Sequence, residues 1–191
     1  MKVLLPKLIS GISSPYLVIP VCFLWITGVF SPGFRQFFLW GSLFLLLSLL
    51  PVLTYVAIQV KRGKITDLHI MVREQRSLPF LIATFSSAVL VFLYIWLHVP
   101  DPIVRMAINL TANGLAFFAI TKFSKLSIHA AALSGSVLQL AILVSYSWLW
   151  LLLVLPIVIW ARVLRKRHTV WQASAAVLIS SLVTILVLYT P

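Results

Sequence analysis

Uninterrupted apolar runs constrain this chain more than any other feature. No charged residue falls within 8–34, 37–60, 80–100 or 169–191. Each run suffices for a helix crossing, since about 20 residues at 1.5 Å rise span roughly 30 Å of hydrocarbon. The run 106–121 is shorter, and it reaches crossing length if Arg105 snorkels to the surface. Ordinary soluble domains are about a quarter charged. Here 62% of residues are hydrophobic and only 9% charged. The runs leave no stretch for a separate soluble domain, so residues 1–191 read as one membrane domain. No small-residue cleavage site stands around Val29-Phe30-Ser31, so the first run reads as a retained helix rather than a signal peptide.

The run 130–161 is too long for one ordinary crossing. Ser145-Tyr146-Ser147-Trp148 at its middle suits a membrane interface, and Pro156 lies in its second half, so it is expected to form a hairpin. The cations favour the same reading. With two crossings, Lys122 and Lys125 share a side with Arg162, Arg165, Lys166 and Arg167. The expected fold is therefore an all-α polytopic transmembrane bundle of about seven spans. On that count every lysine and arginine, from Lys2 onward, lies on one face except Arg35 and Arg105. The positive-inside tendency makes the rich face cytoplasmic, with the amino terminus inside and the carboxyl terminus outside.

The 15 Lys and Arg against 3 Asp and Glu are thus explained by topology and anionic headgroups. Nucleic acid is not an expected partner, because the cations are scattered at helix ends. Asp67, Glu74 and Asp101 cannot form the aspartate cluster that magnesium-dependent membrane transferases need, and they do not suit paired-carboxylate hydrolysis. Cys22 has no second cysteine for a disulfide or a zinc knuckle. No metal or other cofactor is expected. Acid–base chemistry falls to His69, His98, His129 and His168, of which His98 is placed on the opposite face.

Three polar segments, 61–79, 122–129 and 161–172, interrupt the apolar sequence on the cytoplasmic side. They bring histidines and arginines to one surface. Arginine binds phosphoryl oxygens through a planar fork, one histidine can attack phosphorus, and another can protonate the leaving oxygen. Each residue also has a plainer role. Ser127 and Thr169 can cap helices, Gln172 can complete a capping box with Thr169, and Arg73 and Arg76 can be solvated surface.

Arg162, five residues, His168 and three residues to Gln172 resemble the third motif of the type 2 phosphatidic acid phosphatase superfamily: Ser-Arg, five residues, His, three residues, Asp. Ser127-Ile128-His129 is similar to the end of its second motif, Pro-Ser-Gly-His. The stretch from Arg73 through Arg76 to Pro79 occupies the place of the first, Lys, six residues, Arg-Pro. The segments span about residues 64 to 172. Here Ala161, Leu126, Ile128 and Gln172 stand where the family has Ser, Pro, Gly and Asp, and His69 stands where it has Lys.

The resemblance implies a metal-independent membrane phosphatase acting on an amphiphilic phosphomonoester or a prenyl or lipid diphosphate. His168 would be the nucleophile that forms a phosphohistidine, and His129 the general acid and then base. Arg162, Arg76, Arg73 and Ser127 would bind phosphate. Gln172 would orient His168 through its carbonyl, without the charge of a carboxylate. The alternative is an inactive relative that binds lipid phosphate or serves in an assembly.

Overall fold

The computed structural model describes residues 4–68, 70 and 72–190; Lys2 and His69 lie outside the described residues. Every regular element among those residues is helical. The helices are α1 (Leu4–Ile12), α2 (Pro15–Phe30), α3 (Phe34–Phe44), α4 (Leu50–Lys61), α5 (Ser77–Trp96), α6 (Asp101–Thr121), α7 (Ile128–Leu143), α8 (Leu155–Leu164) and α9 (Val170–Tyr189). A π-turn over Leu45–Leu49 joins α3 to α4, and a 3-10 helix over Tyr146–Val154 leads into α8.

Six of the resulting segments are long and apolar enough to cross a membrane: Leu4–Phe30, Phe34–Lys61, Arg73–Trp96, Asp101–Thr121, Tyr146–Leu164 and Val170–Tyr189. This is an all-α, multi-pass membrane protein. The outward faces have the character that lipid demands. Leu178, Leu182 and Leu186 line the exposed side of α9, while Ala173, Ala176, Ser180 and Thr184 line its buried side. Small and hydroxylated residues inside with leucine outside is the packing of helices in hydrocarbon. The seventh expected span, α7, has 16 residues. At 1.5 Å per residue that is about 24 Å, less than the bilayer core. The break between α7 and the 3-10 helix falls at Val144 and Ser145, beside the polar aromatic cluster, and the Ser145 hydroxyl accepts from the Ser147 N–H.

By its contacts the chain divides into two compact units, residues 27–124 and residues 1–26 with 125–191. In the first of these, the α3–α4 rod widens into its π-turn just before Pro51, which has no N–H for the regular ladder and whose ring crowds the carbonyl one turn back. The α4 helix ends on Gly63 at φ +67, and α5 ends on His98 at φ 53. In both turns the residue after the left-handed one donates back to the helix, Lys64 N to Gln59 O and Val99 N to Tyr94 O. His98 thus serves a turn. The α5–α6 pair closes around Thr111 Oγ1, which donates to Ser87 Oγ at 2.9 Å. Arg105 reaches Asp101 at 2.6 Å, and α6 extends to Asp101 rather than starting near Met106.

In the other unit, the first apolar run is two helices rather than one. Proline at the first position of α2 leaves Ser13 and Ser14 between them, and Leu17 N donates to Ser14 O. α1 packs on α8, while α7 packs on α9 and on the 3-10 helix. Trp25 meets Trp148 edge to face at 5.7 Å.

Candidate active site

Five of the seven expected site residues belong to the unit built from 1–26 and 125–191: Ser127, His129, Arg162, His168 and Gln172. Ser127 is the N-cap position of α7, with extended backbone at φ −86 and ψ 103. Its side chain makes no capping hydrogen bond, its residue is fully buried, and its Oγ has no hydrogen-bond partner among the described residues. Buried hydroxyls are seldom left so, and a helix amino terminus with uncommitted N–H groups is where an anion is favoured. His129 follows in the first turn of α7 and is buried.

Arg162 is buried in the last turn of α8. Lys166 N donates to Val163 O at 2.8 Å and Arg167 N donates to Arg162 O at 3.1 Å, with Lys166 at φ 53. These two bonds form a Schellman turn with lysine in the left-handed position that glycine usually fills. The turn absorbs the residues between Arg162 and His168, so the sequence spacing of the two corresponds to one helix end and one reversal of the chain. Thr169 then caps α9.

His168 is 7% exposed, and its Nδ1 lies 3.1 Å from the Lys125 carbonyl oxygen. Two residues on, Ser127 N donates to Gln172 O at 3.4 Å. The segment leading into α7 is therefore tied at two points to the start of α9. The Gln172 side chain is engaged in a capping box. Its Oε1 accepts from Thr169 N at 3.2 Å, while Gln172 N donates to Thr169 Oγ1 at 3.2 Å. The partner of the His168 Nδ1 is thus a backbone carbonyl, and of the two roles open to Gln172 its side chain takes the cap.

Arg73 and Arg76 belong to the unit over 27–124. The loop that carries them is anchored from below by Ile65 and Ile70, buried with Val56. Gln75 Oε1 accepts from both the N–H and the hydroxyl of Thr66. Arg76 is 3% exposed, and its Nε donates to Ile70 O at 2.8 Å. Ile70 itself is held at φ 46, a costly conformation for a β-branched residue. Arg73 is half-exposed, pairs with Glu74 at 3.0 Å and donates to Phe123 O at 3.3 Å.

No family model, curated protein or solved structure matches this chain. The functional reading therefore stands on residues and geometry. Among the described residues no three or more His, Cys, Asp or Glu side chains are grouped to hold a metal ion. The unit built from 1–26 and 125–191 holds a buried guanidinium, two buried imidazoles and a buried hydroxyl at a helix amino terminus. Sequence reasoning missed the Lys125 carbonyl, which carries no residue-type signal.

Proposed function

We propose that the protein is an integral membrane phosphatase resembling the type 2 phosphatidic acid phosphatases, hydrolysing a lipid phosphomonoester or a prenyl or lipid diphosphate without a metal ion. The observation that carries this reading is the burial of His129, Arg162, His168 and an unpartnered Ser127 hydroxyl within one unit of a membrane protein. Buried polar and charged side chains are expensive in such a setting and mark functional positions. In this reading α7 is a seventh, short crossing, and the site opens to the cytoplasmic headgroup layer, where the acyl or prenyl tail of the substrate lies among the helices.

The chemistry follows from the side chains. The Arg162 fork and the α7 amino terminus with Ser127 hold the phosphoryl oxygens. The Nε2 lone pair of His168 attacks phosphorus as the bond from phosphorus to the leaving oxygen breaks. His129 gives that oxygen its proton. A water then attacks the phosphohistidine, His129 takes the water's proton, the P–N bond breaks, and phosphate leaves with His168 restored.

A second reading has an observation in its favour. No carboxylate is supplied by Gln172, whose side chain closes a helix cap, and a protein that binds lipid phosphate without turnover needs none. Phosphate release separates the two. The test is purified protein in mixed micelles with excess EDTA, offered phosphatidate, phosphatidylglycerol phosphate and prenyl mono- and diphosphates. Release that persists in EDTA and falls at least about a thousandfold in His168→Ala supports the phosphatase. A folded protein that binds a phosphate analogue but releases none from any of these substrates supports the binder.

A further inference from the structure

We infer that the backbone carbonyl of Lys125 is the positioning group that sets the tautomer of His168, a role a carboxylate fills in the family this chain resembles. The chemical use of that tautomer rests on the phosphatase reading; the tautomer itself does not.

A carbonyl oxygen carries no proton. The 3.1 Å contact between His168 Nδ1 and Lys125 O therefore requires the hydrogen on Nδ1. In the neutral ring that leaves the lone pair on Nε2, the atom that must attack phosphorus. The residue is nine-tenths buried and stands between the Schellman turn and the Thr169 cap of α9, so rotation would leave a buried N–H without its acceptor.

The positioning is tertiary. Lys125 and His168 are 43 residues apart, and the same segment is pinned again where Ser127 N meets Gln172 O. The two bonds register the amino terminus of α7, with Ser127 and His129, against His168. Gln172 contributes its backbone to this register, and its side chain serves Thr169. When Nε2 bonds to phosphorus the ring becomes cationic and keeps its Nδ1 proton. A neutral carbonyl faces that charge with a dipole, so it fixes geometry while giving less charge stabilisation than a carboxylate would.

The test is nitrogen NMR of the full chain in detergent micelles with 15N-labelled histidine, the His168 signals being identified by their loss in His168→Gln. The expected result is a protonated Nδ1 and an unprotonated Nε2 in the neutral ring. Replacing Leu126 by its α-hydroxy acid turns the Lys125–Leu126 amide into an ester and weakens the Lys125 carbonyl as an acceptor. This is expected to shift His168 toward the Nε2–H tautomer while the His129 signals stay in place, and to slow phosphate release about three- to tenfold. Gln172→Ala is expected to leave the His168 tautomer unchanged. An Nε2–H tautomer in the unmodified protein, a His168 spectrum unmoved by the ester, or a tautomer lost in Gln172→Ala overturns the assignment. Ester-sensitive signals in a protein that releases no phosphate retain the positioning role and reject the phosphatase.

Discussion

Gly135 of α7 faces Ser180 of α9 so closely that a Cβ on Gly135 would stand 2.7 Å from the Ser180 hydroxyl and 3.4 Å from Thr184 Oγ1. The Ser180 hydroxyl cannot simply swing aside, because it donates to Ala131 O at 3.0 Å. Close approach through small residues is how helices associate when both faces are already surrounded by hydrocarbon. This contact seats α7, with His129 at its first turn, against α9, with His168 just ahead of its cap. Gly135→Ala is expected to cost about 1–3 kcal/mol through overpacking. Adding Ser180→Ala should recover part of the loss. Thermal unfolding of the two single variants and the double variant in detergent checks the coupling, and strictly additive losses would refute it.

His129 is assigned both proton transfers, so its removal should discriminate between leaving groups. His129→Ala is expected to slow turnover of a lipid phosphate by about 10²–10⁴-fold, because an alkoxide needs a proton to depart. A nitrophenyl phosphate, whose phenolate departs unaided, should still phosphorylate His168 and give a stoichiometric burst followed by slow turnover. Acid-labile phosphate on the protein measures the trapped intermediate. Equal losses on both substrates with no burst would remove His129 from proton transfer.

The capping box at Thr169 and Gln172 is a stability element. Thr169→Val keeps the side-chain volume and removes the acceptor for Gln172 N, and it is expected to cost about 1 kcal/mol. Thr169→Ser should retain most of the cap. Hydrogen exchange in the first turn of α9 reports it directly, with faster exchange expected in the valine variant alone.

Lys166 holds a left-handed conformation that costs a non-glycine residue about 1–2 kcal/mol. Lys166→Gly is therefore expected to raise stability by about 1 kcal/mol and to preserve phosphate release, since the Schellman bonds to Val163 and Arg162 survive. Lys166→Pro removes the N–H that binds Val163 O and forces φ negative, so both stability and activity should fall. Urea or thermal unfolding with a parallel activity assay checks the pair.

Several features of the fold are legible in the sequence. The turn between α7 and the following helix falls beside Ser145, where a polar aromatic cluster interrupts the apolar run. Thr169 and Gln172 have the spacing of a capping box and form one. Thr111 bonds between helices to Ser87, whereas the Nδ2 of Asn113 turns back to Asn109 within α6. The α1–α2 break is hidden from hydropathy, because Ser13 and Ser14 sit within a continuous apolar run, and Pro15 is its one local signal of a new helix start.

The sequence by itself determined that this chain crosses a membrane through helices, because hydrocarbon length and residue hydropathy are local properties that add up along a run. It also set which side chains are available for chemistry and their order along the chain. Only the tertiary structure decided what each of them touches. Gln172 suited a cap and an orienting role equally well as a sequence; in the fold its side chain closes the cap, and Lys125, 43 residues away, meets His168. The reason is physical: a backbone carbonyl is the same at every position, so its partner is fixed by distance across the fold and not by residue type.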